Sequence, residues 1–301
     1  MKKALLIQIA SILALSFPRI STAQNLFVAD LNSGNFFEFT PGGVRSTFAS
    51  GFQGPDGVAF DSAGDLFVSD TRSGNIYEWT PGGVRSTFAS GLNYPNEMAF
   101  NSAGDLFVAD GRSGNIYEFT PGGVRSTFAS GIQSPDGLAF DSTGNLFVAS
   151  QASTGPNGSI VEITPGGVKS VFDSGFYPNA LAFDSAGDLF ESDSFGIFEY
   201  EPGGVRSTFI NVSVFGPLGS TLPTGMAFDS AGNLFVSVQF NNTHPTNDSI
   251  DIVTPGGAVS TFATGLNYPE FLAFQPVPEP SVSAILGMSA LTLLGFRRKS
   301  V

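Results

Sequence analysis

Six prolines at near-regular intervals are each followed by a dipeptide that carries a carboxylate, amide or hydroxyl oxygen. The dipeptides are Asp56-Gly57, Asn96-Glu97, Asp136-Gly137, Asn179-Ala180, Thr224-Gly225 and Glu270-Phe271. Oxygen atoms of these kinds are the ligands that a hard cation such as Ca²⁺ requires, and several chain segments can supply them together. Asp or Asn after proline also commonly caps its own turn. The pattern therefore indicates either a site for a cation or polar ligand, or a set of capped turns.

These dipeptides belong to a unit of about forty residues that occurs six times, a period typical of solenoids, propellers and arrays. Each copy carries a Pro-Gly-Gly tripeptide, with its proline at Pro41, Pro81, Pro121, Pro165, Pro202 and Pro255. Between these markers, short aromatic and β-branched runs alternate with Gly, Pro, Asn and Asp, as in residues 57–88. This pattern is typical of strands joined by tight turns. The unit therefore predicts four short antiparallel strands, which is the composition of a propeller blade.

The two ends of the repeated region are out of phase with each other. The first copy begins at Asn25 with the second strand of a blade, and the last copy ends at Phe274 with a first strand alone. Pairing these ends completes six blades and leaves no open edge, whereas an open solenoid would expose both ends. We therefore predict an all-β, six-bladed propeller over residues 24–276, closed by the C-terminal strand in the N-terminal blade. The 31 phenylalanines are expected to fill the spaces between blades.

The connections between strands differ in how much they vary among the copies. Two turns keep a constant length, whereas the loop between the second and third strands is lengthened at residues 151–159 and 238–249. In a four-stranded blade the variable connections share one face of the disc, and the proline-led dipeptides surround the channel mouth on that face. Binding residues usually lie on such loops. The sequence therefore predicts a non-catalytic binding or matrix scaffold, whose partner is a surface protein, a polysaccharide or a small ligand.

Aspartates end the second strands beside these variable loops, and they are expected to brace the Ser-Gly-Asn turns that follow. The members of this series are Asp30, Asp70, Asp110 and Asp193.

The charge of the repeated region is strongly acidic. Of the 13 basic and 26 acidic residues in the chain, six basic residues and Glu279 lie in the terminal segments. Seven basic and 25 acidic residues remain between positions 24 and 276, a net charge of −18. Such a body disfavours nucleic acid and anionic membrane surfaces and favours cations or basic partners. The same charge also keeps a secreted protein soluble.

The N-terminal segment has the layout of a secretory signal peptide. Lys2 and Lys3 precede an apolar stretch at residues 4–17, and small residues follow up to Ala23. This order predicts export, with cleavage between Ala23 and Gln24.

The C-terminal segment, residues 277–301, contains a short motif, an apolar stretch and a basic cluster. The motif is Pro278-Glu279-Pro280, and the cluster includes Arg297 and Arg298. This layout closely resembles the PEP-CTERM sorting signal of exported bacterial proteins. The resemblance implies processing by an exosortase-type protease, transient membrane association, and delivery to the cell surface or extracellular matrix of a bacterium with a Gram-negative-type envelope. A simple C-terminal membrane anchor is the alternative.

The repeats resemble NHL-type blades, and the six-bladed arrangement is similar to the gluconolactonase and senescence-marker-protein superfamily. That superfamily holds a catalytic divalent metal at the channel mouth, partly through Pro-Asn-Gly or Pro-Asp-Gly segments. The resemblance implies that Asp56, Asn96, Asp136 and Asn179 are the candidate ligands for Ca²⁺ or another divalent cation. It also implies Glu97 or Glu270 as a catalytic acid. The alternative function is therefore a metal-dependent lactonase or related hydrolase.

Overall fold

The computed structural model describes residues 24–151, 158–216, 221–240 and 248–276. The predicted signal peptide, the predicted sorting segment and most of the two lengthened loops lie outside these residues. Within the described part of the chain, no helix is long and apolar enough to cross a membrane.

Six separate sheets, each of four antiparallel strands, make up the fold, and this confirms the predicted six-bladed propeller. A single 3-10 turn at Val212–Val214 is the helical element among the described residues. The strands are β1 (Leu26–Asp30), β2 (Asn35–Phe39), β3 (Arg45–Ser50), β4 (Pro55–Phe60), β5 (Leu66–Asp70), β6 (Asn75–Trp79), β7 (Arg85–Ala89), β8 (Pro95–Phe100), β9 (Leu106–Asp110), β10 (Asn115–Phe119), β11 (Arg125–Ser130), β12 (Pro135–Phe140), β13 (Leu146–Ser150), β14 (Gly158–Ile163), β15 (Lys169–Phe176), β16 (Leu181–Phe183), β17 (Leu189–Asp193), β18 (Gly196–Glu201), β19 (Val205–Asn211), β20 (Thr221–Phe228), β21 (Leu234–Phe240), β22 (Asp248–Val253), β23 (Val259–Leu266) and β24 (Pro269–Phe274).

The ring closes through its two ends, as the phase of the repeats predicts. The first blade has the strand order β24-β1-β2-β3, so the last strand of the chain is the innermost strand of the first blade. Leu26 pairs with Phe274 and Val28 with Leu272 in an antiparallel register. The Gln275 N–H also donates to the Asn25 carbonyl oxygen at 2.9 Å. No edge strand is left open at the junction.

Phenylalanines fill the spaces between neighbouring blades in a pattern that repeats around the ring. The ring of Phe27, on a second strand, meets Phe48 of its own blade at 5.3 Å and Phe60 of the next blade at 5.2 Å, both edge-on. Equivalent groups of three rings occur at all six blade junctions, with the central ring from Phe27, Phe67, Phe107, Phe147, Phe190 and Phe235. Edge-to-face packing at this separation is the favoured aromatic geometry. Each second-strand phenylalanine therefore joins two blades.

The innermost strands alternate between two types around the channel. A Cβ atom at Gly57, Gly137 or Gly225 would lie 2.3 to 2.6 Å from a backbone carbonyl oxygen of the next innermost strand, so only glycine fits there. The intervening blades carry a side chain at the equivalent position, from Glu97, Ala180 and Phe271. Each glycine-bearing strand thus lets the following strand approach closely. The ring therefore has a threefold alternation within its six blades.

Candidate ligand site at the channel mouth

Five of the six proline-led dipeptides lie in β-bulges at the start of the innermost strands, and Asn179-Ala180 lies just before β16. In the second blade Pro55 pairs with Asp70, and regular pairing resumes only at Val58 with Val68. The same irregularity follows Pro95, Pro135 and Pro223 in their blades. A bulge re-aims the side chains of the unpaired residues, which explains how Asp56 faces the channel cavity instead of the sheet partner.

Aspartates at the ends of the second strands hold the loops that lead into these bulges. Asp70 accepts the Gly54 N–H at 2.8 Å and the Gln53 N–H at 3.1 Å. Asp110 accepts the Asn93 N–H at 2.8 Å, and Asp30 accepts the Asn267 N–H at 3.1 Å. The prediction that these carboxylates mainly brace the Ser-Gly-Asn turns is therefore incomplete, because they also fix the proline-led loops.

A cavity of about 550 Å³ opens at the channel mouth. Its lining residues come from the proline-led loops and from the segments that follow the second strands: Leu31, Asn32, Asp56, Arg72, Tyr94, Asn96, Gly111, Arg112, Ser134, Asp136, Gln151, Tyr268 and Glu270. Three of the four predicted metal ligands, Asp56, Asn96 and Asp136, line it together. Their role as metal ligands stays a prediction.

Four carboxylates lie close enough at this mouth to influence one another. Burial raises the pKa of Asp56 well above its usual range, and the charge of Asp136 raises it further. Burial raises the pKa of Asp136 to about 7. Burial, followed by the charges of Asp56 and Asp136, also raises the pKa values of Glu97 and Glu270 well above normal. The raised pKa values therefore favour protonated carboxyl groups in this cluster, and a bound cation would displace those protons.

Asp56 is the most exceptional member of this cluster. Only 6% of the residue is exposed, and its Oδ1 atom finds no hydrogen-bond partner among the described residues. Buried carboxylate oxygens are normally hydrogen-bonded, so an unpaired one in a cavity wall indicates a missing ligand, ion or water.

The two predicted asparagine ligands each use their amide nitrogen to bind the neighbouring blade. The Asn96 Nδ2 atom donates to the Pro135 carbonyl oxygen at 3.0 Å, and Asn179 Nδ2 donates to the Pro223 carbonyl oxygen at 3.3 Å. Each amide nitrogen thus contacts the backbone of the next blade, which leaves the Oδ1 atom to accept from other groups. Asn179 is not among the cavity-lining residues.

Gln151 contacts two of the predicted ligands and was not anticipated from the sequence. Its Nε2 atom donates to Asp136 Oδ2 at 2.6 Å and to Asn179 Oδ1 at 3.0 Å. The available sequence signal was its position directly after a second strand, where the first of the lengthened loops begins. Gln151 therefore bridges Asn179 and Asp136.

A divalent cation fits this donor set only in part. Among the described residues, no group of three or more His, Cys, Asp or Glu side chains could hold a metal ion. The cavity instead offers the carboxylates of Asp56 and Asp136 and the amide of Asn96, a mixed set of oxygen donors. Ca²⁺ accepts such a set and completes its coordination with water. The unpaired Asp56 oxygen is the observation that supports the fit.

The two candidate acids occupy different environments. Glu97 Oε2 accepts the Leu138 N–H at 2.5 Å, so this side chain is tied to the innermost strand of the next blade. Glu270 lines the cavity, and burial raises its pKa well above the usual range, which favours its protonated form. A protonated carboxyl beside a ligand can act as a general acid, which favours Glu270 for this role.

Strained backbone marks the rim of the cavity. Among the described non-glycine residues, positive φ angles occur at Tyr94 (70°), Ser134 (43°) and Tyr268 (68°), and all three line the cavity. Such conformations cost free energy and concentrate at ligand-binding sites. The guanidinium of Arg112 stacks on the Tyr94 ring at 4.3 Å. This rim was not predicted from the sequence; the available signal was a tyrosine directly before three of the six prolines, at Tyr94, Tyr177 and Tyr268.

We expect the protein to lose stability as the pH rises from about 5 to about 8 in buffer without divalent cations. The pKa of Asp136 is raised to about 7 in the folded state from its ordinary 3.8. The folded protein therefore keeps a proton that the unfolded chain releases. The stabilising effect is complete below about pH 4 and is lost as the pH passes the folded-state pKa. Thermal melting across this range in the presence of a chelator measures the slope.

Asp136→Asn is the matched variant for this pH dependence, because an amide oxygen can still accept the hydrogen bond from Gln151. The variant should show a shallower decline in melting temperature with pH. A melting temperature that rises with pH, or an unchanged slope in the variant, contradicts the prediction.

No family model and no curated protein matches the sequence, but solved structures share its fold. A gluconolactonase from Xanthomonas campestris is 15% identical with a TM-score of 0.64, over 83% of this chain and 92% of that chain. A chain in a nidogen–laminin complex is 17% identical with a TM-score of 0.69, over 85% of this chain and 100% of that one. Regucalcin from Agrobacterium tumefaciens, a calcium-binding protein, is 16% identical with a TM-score of 0.56, over 70% and 73% of the two chains. At these identities the likeness shows the fold alone. The fold is that of gluconolactonase-like and NHL-type propellers, which the sequence resembles.

Proposed function

We propose that the channel mouth binds a divalent cation and hydrolyses a lactone or related ester. The unpaired oxygen of Asp56, buried in the wall of a cavity rich in oxygen donors, is the observation that carries this proposal. The likeness to a gluconolactonase and to a calcium-binding propeller supports it. These neighbours favour the hydrolase over the non-catalytic scaffold that the sequence alone favours.

Asp56, Asn96 and Asp136 would hold the cation, which would polarise the ester carbonyl or lower the pKa of an attacking water. Gln151 orients Asp136 through its hydrogen bond to Oδ2. Glu270 holds a proton beside the cavity and donates it to the ring oxygen when the bond between that oxygen and the carbonyl carbon breaks. Water adds to the carbonyl carbon in the same reaction, and the proton that this water loses returns to the Glu270 carboxylate, so the products are a carboxylic acid and an alcohol.

Calcium titration of the full-length protein, followed by thermal melting, tests the cation site. A cation at about one hundred times its dissociation constant stabilises the folded state by about 2.7 kcal/mol, a shift that melting detects readily. Asp56→Asn should abolish the shift, and lactone hydrolysis should fall with it.

Asp65→Asn is the matched control for this titration. Asp65 lies in a turn between first and second strands, and the equivalent turns carry Asn145 and Asn233, so the substitution removes one charge without disturbing the fold. This variant should keep the full calcium response. If neither Ca²⁺, Mg²⁺, Mn²⁺ nor Zn²⁺ shifts the melting of the unmodified protein, the hydrolase proposal fails.

A binding scaffold is the second candidate function. The nidogen–laminin chain aligns over its whole length with this propeller, and it was solved as part of a complex between two proteins. The ten-residue segments at 42–51, 82–91 and 122–131 are identical in sequence, which also fits a structural repeat. For either function, the terminal segments support an exported protein that is sorted to the cell surface or extracellular matrix.

A further inference from the structure

Basic side chains are distributed unevenly over the propeller. Five of the seven basic residues between positions 24 and 276 lie on the outermost strands: Arg45, Arg85, Arg125, Lys169 and Arg206. The other two, Arg72 and Arg112, both line the cavity at the channel mouth. The propeller already has a net charge of −18, so positive charge at the channel mouth is not needed for solubility. The pair therefore requires a local explanation.

The two arginines occupy equivalent positions in neighbouring blades, two residues after the end of a second strand. Both are exposed, and each is oriented by its neighbours. Arg72 donates through Nη1 to the Gln53 carbonyl oxygen at 2.8 Å and through Nη2 to Asn32 Oδ1 at 3.4 Å. Arg112 stacks on the ring of Tyr94 at 4.3 Å. A guanidinium has five N–H donors, so donors remain on both side chains after these contacts.

The cavity is therefore polarised between its rim and its interior. The guanidinium groups lie at the rim, and Arg72 is close enough to Asp56 that its positive charge opposes the rise in the pKa of that carboxyl. The carboxylates of Asp56, Asp136 and Glu270 form the acidic part of the wall. Two fixed guanidinium groups are suited to a planar carboxylate, which they can bind through paired hydrogen bonds.

Two aromatic rings lie at the same rim. Tyr268 is 40% exposed and lines the same cavity as Tyr94. Burial raises the pKa of Tyr268, and Glu270 and Tyr94 are among the neighbouring groups that raise it further. Their positive φ angles of 70° and 68° hold both residues at the rim. Rings placed in this way give a hydroxylated ligand an apolar surface, while its polar groups face charged side chains.

We propose that this cavity selects an acidic sugar or its lactone, with Arg72 and Arg112 binding the ligand's carboxylate and Tyr94 and Tyr268 contacting its ring. This inference rests on the proposed function, and it adds that the ligand carries a negative charge. The hydroxyl groups and the lactone carbonyl would then face Asp56 and Glu270. A site built to pair with a charged group discriminates strongly against an analogue that lacks the group.

Isothermal titration of the full-length protein tests the charge preference directly. The probes are galacturonate, glucuronate and mannuronate, each compared with its neutral parent sugar, in buffer containing calcium. At least one acid should bind about tenfold or more tightly than its parent, because hydrogen bonds to a charged group contribute more than neutral ones. If no acid binds, or if acids and parents bind equally, the proposal is overturned.

Arginine variants identify the groups responsible. Arg72→Gln and Arg112→Gln should each weaken binding of the preferred acid by about tenfold and leave any binding of the neutral sugar unchanged. Arg125→Gln removes the same charge from an outermost strand and should change neither. Equal losses of affinity in all three variants would indicate a general charge effect, and would contradict the proposal that Arg72 and Arg112 bind the carboxylate.

Lactone hydrolysis separates this inference from the proposed function. Galactarolactone keeps a free carboxylate, and galactonolactone has none. Hydrolysis of both at equal kcat/KM would support the hydrolase and overturn the acidic preference. Arginine-dependent binding of an acid, with no hydrolysis of either lactone, would support the preference and count against the hydrolase.

Discussion

Removal of residues 269–274 is expected to leave a chain without a cooperative thermal transition. These residues form β24, which supplies the innermost strand of the first blade and closes the ring by pairing with β1. Phe274 also packs edge-on against Phe235 of the preceding blade at 4.9 Å. Without β24, the first blade loses a strand and two blades lose their shared packing. Calorimetry of the full-length and deleted chains measures the effect.

A point variant in the same strand provides the control. Leu272 is 4% exposed and pairs with Val28. Leu272→Ala removes buried methyl groups without removing the strand, so it should destabilise by about 2–5 kcal/mol and keep a single transition. In an open array each unit contacts only its neighbours. A deleted chain that still melts cooperatively, with the loss of one blade's share of the enthalpy, would therefore contradict ring closure.

Arg206→Gln is expected to destabilise the protein by about 3–5 kcal/mol. Arg206 Nη2 contacts Glu191 Oε2 at 3.1 Å and Asp193 Oδ2 at 3.2 Å, and the Glu191 side chain is fully buried. Burial, and then the charge of Asp193, raises the pKa of Glu191 to about 8. Removing the guanidinium leaves buried carboxyl groups without their cation. Urea-induced unfolding at pH 8, close to the pKa of Glu191, measures the change in the free energy of unfolding.

A double-mutant cycle tests whether Glu191 causes this loss. The equivalent position in the other five second strands carries valine, at Val28, Val68, Val108, Val148 and Val236. Glu191→Val should therefore be neutral or stabilising, because replacing a buried ion pair with well-packed apolar groups often is. In that background, Arg206→Gln should cost much less. An undiminished cost would show that Arg206 acts through Asp193 or through its stacking on Phe198, at 3.6 Å, and not through Glu191.

Blade number, strand composition and ring closure were predictable because each follows from a pattern repeated six times. The same repetition explains why the proline-led dipeptides could be placed around one channel before the structure was known. Asp56, Asn96 and Asp136 lie on one cavity because ring geometry places the starts of all innermost strands together.

The specific contacts at the mouth were less predictable, since they join residues from different blades. Nothing local to Asn96 or Asn179 indicates that its amide nitrogen binds the backbone of the next blade. Arg72 and Arg112 read as ordinary loop residues until the fold brings their blades side by side. Glu191 interrupts a series of valines, and only the structure shows that Arg206 from another strand compensates for it.

Glycine-bearing innermost strands alternate with strands that carry a side chain, and this alternation requires an even number of blades. A blade inserted or deleted singly would bring two glycine-bearing strands together, or two strands that both carry side chains, and would leave a gap or a clash at the channel. We therefore expect blades of this protein to be gained or lost in pairs. The identical segments at 42–51, 82–91 and 122–131 belong to successive blades whose channel positions nevertheless differ. The outermost strands of these three blades are thus interchangeable in sequence, while the residues at the channel alternate from blade to blade.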